Sequence, residues 1–426
     1  MKKWILILII CLALGFTAIG KTKVTVWFAG TTEALMEAVD DHLVPAFEKA
    51  NPDIELAVEY IPWGELSTKL TTAFAGGIGP DIFMHGQAAI AGFAETGVIM
   101  DIDSLIDKLE DPEDFGGTLG VGLYRGKNFM VPVFGSGRLL AYREDFFIES
   151  GLDPDEPPVT WEQLRAYAEA LTVYESGRLV RAYAEALTVY ESGRLVRAGL
   201  DIPVSAIDLQ QVWTGFLIAN NGALFDNDFN PTFNSQSGVE ALEYYVGLIR
   251  EAKVASEYGL TPIGNLEPIA AGTAAMCFMN NESLAAIKEY SPDVYSKIRL
   301  AFPPARYGRA AFYSFAGFMV SSSTKDLEAT TKALSFMTSK DALIAINTAL
   351  GSLPPRQSGV VAEYIANDPN LMKFVEGSKY AYGNPNVPFW VQARDIISKY
   401  LERAIMGVMT PKNALDGAAE EIRKLK

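Results

Sequence analysis

The amino-acid sequence predicts an α/β fold of two lobes, and three observations carry that prediction. Residues 22–97 alternate strand and helix twice over. A chain of 426 residues that is 49% hydrophobic and only 21% charged has the apolar mass for two cores. Two extended runs broken by glycine, residues 128–142 and 312–321, have the character of strands that pass from one lobe to the other.

KVTVWF at 23–28 alternates as a half-buried strand does, and Gly30, Thr31 and Thr32 then supply turn and cap residues before a helix over 33–49. In that helix Leu35, Val39, Leu43 and Phe47 form the apolar stripe, and Asn51-Pro52-Asp53 ends it. A second strand follows over 54–61 and a second helix over 65–75, buried through Leu66, Leu70 and Phe74, with Trp63 where strand gives way to helix. A short buried strand at 81–84 completes βαβαβ, which right-handed crossovers turn into a parallel sheet. In such a sheet the ligand crevice lies beyond the carboxyl ends of the strands.

Pro132, Gly135 and Gly137 interrupt the first crossing. A short helix over 143–152 and the rigid connector DPDEPP at 153–158 lead to Thr160 and Gln163, a capping box opening a helix at Trp161. Helices over 210–220 and 237–252, a buried strand over 272–279 and the second crossing follow. Further helices are predicted over 327–338, 341–350, 360–367, 391–406 and 411–424. Two crossings make each lobe discontinuous: 21–134 with 316–357, and 135–315 with 358–426. Strands that cross at the base of a cleft form a hinge.

RAYAEALTVYESGRLV occupies 165–180 and again, letter for letter, 181–196. Solenoid repeats run beyond two copies and diverge in sequence, so this pair reads as a recent tandem duplication or an assembly artefact. Sixteen residues at 100° each return about 160° out of phase, so one helix cannot bury both copies on the same face. Gly177 and Gly193 let the second copy bulge as surface structure.

Thirty-six basic residues against 52 acidic ones give a net charge of −16, which argues against a nucleic acid partner. Residues 1–20, MKKWILILIICLALGFTAIG, read as a signal peptide: two lysines, an apolar run, then Ala18 and Gly20 at a cleavage-type site. Gly15, Thr17 and Gly20 break the run short of a membrane span. Cys11 lies inside it and is preceded by Ile10 rather than the small residue of lipoprotein signals, so a free periplasmic or extracellular protein is expected. After cleavage only Cys277 remains, and no intrachain disulfide is possible.

Residues 15–22 satisfy the Walker A pattern, yet KVTVWF follows where a phosphate loop needs a helix. No serine sits in G-x-S-x-G, the dinucleotide fingerprint is missing, and His42 and His85 have no nearby cysteines for zinc. No metal, nucleotide or other cofactor is expected. A carboxylate pair of the glycosidase kind needs only to meet in space and stays open.

Sugars present flat C–H faces and rims of hydroxyls, and their sites combine aromatic plates with polar side chains. Trp63, Trp213 and Trp390 each stand at an element boundary, although for a single tryptophan core packing is the commoner role. Trp161 reads as a staple for its helix start.

Several short pieces occur in a particular order: Trp63, Gly76, Gly77 and Pro80-Asp81-Ile82; ESGLDP at 149–154 and Thr160-Trp161; AAGTAAM at 270–276; FAGFMVS at 315–321; LPPR at 353–356; PNVPFW at 385–390; and TPKNALDGAAEEI at 410–422. Together they resemble the bacterial extracellular solute-binding proteins of ABC sugar importers, the maltose-binding-protein-like group. The resemblance implies a type II, two-lobe periplasmic-binding-protein fold, each lobe a doubly wound sheet flanked by helices, joined by crossing hinge strands. It also implies a monomer that closes on a sugar, oligosaccharide or polyol and delivers it to membrane permease subunits, without a reaction.

Carried over position by position, the cleft residues fall at Phe28, Thr31, Thr32 and Glu33, at Trp63, at His85 and Gln87, and at Ser136 and Arg138. From the opposite lobe come Trp213, Asn221, Asn281 and Glu282, then Ala316 and Gly317 at the second crossing, and Trp390. The three tryptophans are the expected plates; Gln87, Arg138, Asn281 and Glu282 are the expected hydroxyl partners. Many relatives have glycine and tryptophan after AAM where this chain has Asn280-Asn281-Glu282-Ser283, and a tryptophan in place of His85. Losing two plates implies a smaller or more hydroxyl-rich ligand than a long maltodextrin. Two alternatives remain at this level. One is an exported glycoside hydrolase. The other is a binder of a phosphorylated polyol such as glycerol 3-phosphate, for which Arg138, Arg306, Arg309 and Arg356 are available.

Overall fold

The computed structural model describes residues 21–175, 179–180, 190–191, 194–256, 258–263, 266–360 and 363–426. The expected signal peptide, nearly all of the Walker-like stretch, and Gly177 and Gly193 lie outside the described residues. The strands of the main sheet are β1 (Thr22–Ala29), β2 (Ile54–Ile61), β3 (Ile82–Gly86), β4 (Val131–Arg143), β5 (Ala198–Asp201), β6 (Ala274–Asn280), β7 (Ile298–Ala301), β8 (Ala311–Val320) and β9 (Ala381–Tyr382). Five helices position the site: α1 (Trp63–Ala75), α2 (Trp161–Leu171), α3 (Ala206–Ala219), α4 (Asn281–Tyr290) and α5 (Trp390–Ile405).

β1, β2 and β3 are parallel, with Thr22 opposite Ile54 and Val26 opposite Ile82, as the βαβαβ reading requires. The helix expected over 33–49 is helical throughout but contains a π turn, Ala38–Leu43, between Glu33–Glu37 and Val44–Ala50. Pro45 has no N–H to give a carbonyl one turn back, and the wider turn absorbs that loss. Leu35, Val39, Leu43 and Phe47 are all buried, so the stripe survives.

The sheet order is β5-β6-β4-β8-β3-β1-β2, with β7 paired to β4 and β9 to β8. Instead of two separate sheets, one mixed sheet runs through both lobes, because each crossing strand has a half in each. The first half of β4 pairs with β8, Val131 opposite Phe318 through Gly137 opposite Tyr313. Its second half lies between β6 and β7. The core changes over at Gly135 and Gly137, where the rings of Phe315 and Tyr313 come close to the strand: a Cβ on Gly137 would stand 2.4 Å from the Tyr313 ring. On one side Val26, Phe28, Leu70, Phe83, Phe318 and Ile346 share a core. On the other, Leu140, Trp161, Trp213, Phe216, Tyr245 and Trp390 share a second. Leu139, one residue from Leu140, points through the opposite face of the sheet into a third cluster with Cys277, Leu284 and Phe374. A third segment joins the crossing, where Gly135 and Leu353 exchange backbone hydrogen bonds of 2.6 and 2.8 Å.

Thr160 caps α2 by accepting from the Gln163 N–H at 3.2 Å, while the Gln163 side chain accepts from Val159 N–H, one residue earlier than in the reciprocal box. Trp161 stacks on Tyr244 with centroids 4.5 Å apart. The repeat begins as the rest of α2. Further on, Tyr174–Glu175 pairs antiparallel with Leu179–Val180 as a first hairpin, and Tyr190–Glu191 with Arg194–Leu195 as a second. Val173 pairs with Arg197, so the duplicated stretch leaves and rejoins the lobe at one place. No helix among the described residues is long and apolar enough to cross a membrane.

Candidate functional site

The carboxyl ends of β1, β2 and β3 on one lobe, and of β5 and β6 on the other, converge on the middle of β4. At the end of β2, Pro62 caps α1 and sets Trp63 at its first position, 47% exposed. The indole stands edge-on to Phe134 of β4, with centroids 6.3 Å apart, and to His85 of β3, at 6.4 Å. Behind it, Gly30 has φ +101°, and a Cβ there would lie 3.6 Å from the indole nitrogen. Thr31, Thr32 and Glu33 follow and are exposed, and the Thr32 hydroxyl makes no cap hydrogen bond.

His85 Nε2 lies 3.0 Å from Ser67 Oγ. Desolvation holds the imidazole well below its ordinary range, at about 4, and the Arg394 charge adds to the effect, so it is neutral near pH 7. Gln87 Oε1 accepts the Phe315 N–H at 3.1 Å and ties the end of β3 to the second crossing.

The opposite wall is built from helix starts. Ser136 Oγ donates to Glu282 Oε2 at 2.8 Å. Burial raises the Glu282 carboxyl, and the Ser136 hydroxyl partly opposes that shift. Arg138 donates through Nε to Gln211 at 2.9 Å and pairs with Asp208. Asp208 and Glu282 lie in the first turns of α3 and α4, where the helix dipole favours a carboxylate. Sequence reasoning missed Asp208, Gln211 and Phe134. The spacing Asp208 to Gln211 marks one helix face, but its partner Arg138 is distant in the chain.

Seven expected site residues are placed otherwise. Phe28 is fully buried against Phe318, because the alternation of β1 sends it inward with Val24 and Val26. Trp213 and Trp390, at 0% and 1% exposure, belong to the core, beside Phe233 and Phe225 respectively. The indoles expected on both walls are thus reduced to Trp63 alone. Asn281 is buried with both ends of its amide committed: Oδ1 accepts the Gly137 N–H at 2.9 Å and Nδ2 donates to the Gly351 carbonyl at 3.0 Å. It clamps two connecting segments rather than facing solvent. Gly317 is buried between strands, where a Cβ would stand 2.2 Å from the Val131 carbonyl, at the register shift of the β4–β8 pair. Ala316 is buried beside it. Asn221 is exposed at the end of α3 with φ +60°, where it terminates the helix.

Of the four arginines a phosphate would call on, three are held away from this wall. Arg306 pairs with Glu240 and covers the Trp161 ring. Arg309 donates to the Pro303 carbonyl. Arg356 is buried, donating to the carbonyls of Glu110, Asp111 and Thr338. Among the described residues no group of three or more metal-type side chains assembles.

Comparison with known proteins matches residues 29–344 to the family described as bacterial extracellular solute-binding protein. A binding protein of Brucella abortus is 24% identical over 88% of this chain and 86% of its own. The sn-glycerol-3-phosphate-binding periplasmic protein of Salmonella typhimurium is 24% identical over 98% of this chain and 95% of its own. Among solved structures, an ABC transporter solute-binding protein from Thermotoga lettingae, bound with α-D-tagatose, superposes with a TM-score of 0.78 at 22% identity, covering 95% of this chain and 99% of that one. With its two-lobe fold and a family match across most of its length, the chain belongs to the bacterial extracellular solute-binding proteins.

Proposed function

We propose that this protein captures a neutral, hydroxyl-rich solute, a sugar, oligosaccharide or polyol, between its lobes and hands it to the membrane permease of an ABC importer. One observation carries the reading. Within five residues of β4, Phe134 backs the exposed Trp63 indole, and Ser136 and Arg138 present a rim of Glu282, Asp208 and Gln211. One plate beside paired donors and acceptors suits a ring with a flat C–H face and an edge of hydroxyls. Thr31, Thr32, Glu33, His85 and Gln87 complete the N-terminal wall. The lobes comprise 21–134 with 316–357 and 135–315 with 358–426, and ligand favours the closed form to the extent that it touches both. The protein is exported by residues 1–20, works as a monomer and catalyses no reaction.

A phosphorylated polyol is the second reading, because the Salmonella relative is named for sn-glycerol 3-phosphate. The wall disfavours it. The helix starts that commonly receive anions already carry Asp208 and Glu282, and Arg138 is already paired. Calorimetric titration with neutral mono- and oligosaccharides and with glycerol 3-phosphate, alongside mass spectrometry of copurifying solutes, tests the proposal. Binding of a neutral sugar recovered unchanged is expected. Tight binding of glycerol 3-phosphate alone, or turnover of an oligosaccharide by the purified protein, overturns it.

A further inference from the structure

The charge that a solute meets on the C-terminal-lobe wall turns on one carboxylate. Arg138 lies opposite Asn280 in the β4–β6 pair and shares a face of β4 with Ser136. The start of α3 meets Arg138 through Asp208 and Gln211, and the start of α4 meets Ser136 through Glu282. The Arg138 side chain is 13% exposed and that of Asp208 55%, so the pair is seated in the wall with its acidic member the more open to solvent. Of the five N–H groups of the guanidinium, Gln211 takes the one on Nε at 2.9 Å and Asp208 one on Nη2, which leaves three.

The two partners do different things. Gln211 is neutral and fixes the guanidinium without discharging it, whereas Asp208 cancels its charge at contact. Glu282 is held by the Ser136 hydroxyl and feels Arg138 only at longer range; burial raises its carboxyl, which makes it the weaker counter-ion. A guanidinium fork is the group that receives phosphates and carboxylates in pairs of hydrogen bonds. Here Asp208 fills that role from within the protein. An anionic group brought to Arg138 would face the Asp208 charge at close range, in a partly buried place where salt screens little. A hydroxyl meets no such repulsion, because it accepts from a remaining N–H and donates to the carboxylate.

We propose that Asp208 is the residue that sets this site against anionic solutes: it holds Arg138 for hydroxyl groups, and without it the Arg138 fork receives a phosphate or carboxylate group. The proposal deepens the sugar reading above and rests on it. Its test is calorimetric titration of the full chain and of Asp208→Asn, Asp208→Ser and Asp208→Glu, with a denaturation midpoint for each as the check on folding. The titrants are a neutral sugar that the full chain binds, glucuronate, glucose 6-phosphate, glycerol 3-phosphate and inorganic phosphate. Asp208→Asn and Asp208→Ser bind at least one of the anions about tenfold or more tightly than the unaltered chain does, and the gain shrinks at high salt. Inorganic phosphate then competes with the neutral sugar, which it does not do in the unaltered chain or in Asp208→Glu. Adding Arg138→Met to Asp208→Asn abolishes the gain. A residue with a merely structural role would lower affinities together and create none. Folded Asp208→Asn and Asp208→Ser proteins with no new anion affinity, or a gain that survives Arg138→Met, overturn the proposal while the sugar reading stands. Tight anion binding by the unaltered chain, or failure of every neutral sugar to bind it, overturns both.

Discussion

Deletion of residues 181–196 removes one copy of the repeat and joins Val180 directly to Arg197. In the first hairpin Tyr174 pairs with Val180 and Glu175 with Leu179, so the next rung of that ladder sets Val173 against the residue after Val180. In the intact chain Val173 pairs with Arg197. The deletion therefore places Arg197 where the ladder already wants it, and the strand runs on into β5 with no change of face. The Arg197 side chain, held by Glu149 and lying over the Phe146 ring, keeps its partners. The loop closed by the Val173–Arg197 pair becomes about threefold shorter, which by closure entropy alone stabilises the protein by about 1 kcal/mol. Urea denaturation followed by circular dichroism, with ligand titration of the same preparation, measures both consequences. The expected outcome is a midpoint equal to or slightly above that of the intact chain and an unchanged affinity. A loss of more than about 2 kcal/mol, or of binding, would refute the reasoning and give the second copy a structural or functional role.

Three further substitutions separate core from cleft. Trp63→Ala lowers ligand affinity about 10- to 100-fold with a stability change under about 1 kcal/mol, whereas Trp213→Ala and Trp390→Ala each cost about 3–5 kcal/mol of stability; calorimetry and denaturant titration of all three distinguish the roles, and equal stability losses would place Trp63 in the core. Asn281→Ala leaves the Gly137 N–H and the Gly351 carbonyl unpaired in a buried place, at about 1–3 kcal/mol each; a denaturation midpoint within error of the parent would show that the clamp contributes nothing. His85 takes its proton near pH 4 in the fold, against an ordinary 6.5 in the unfolded chain. The unfolded state therefore binds more protons in that window, and stability is full above 6.5 and falls as pH drops toward 4, by on the order of 2–3 kcal/mol. His85→Gln flattens the melting-temperature profile over that window, and an unaltered slope would remove His85 as its source.

The sequence by itself determined the local architecture. Period-two alternation in β1, the four-residue stripe of the first helix and the cap at Thr160 are each set by neighbours within a few residues, and the structure has all three. The crossings were legible for a similar reason: glycines inside an otherwise extended apolar run mark positions that carry no side chain because a neighbour comes close, as the Tyr313 ring comes close to Gly137. Only the tertiary structure decided which of those segments' side chains stay open to a ligand. Trp63 and Trp390 each open a helix and Trp213 lies inside α3, and the three differ in what folds over them. Phe233 and Phe225, from a segment after α3, meet the rings of Trp213 and Trp390 inside the second core, while Trp63, met edge-on by Phe134 and His85, stays 47% exposed. Arg138 found Asp208 and Gln211, and Asn281 found Gly137 and Gly351, across separations that no periodicity encodes. Burial and hydrogen-bond partnership are properties of the packed chain, set by contacts that exist only once the lobes have formed.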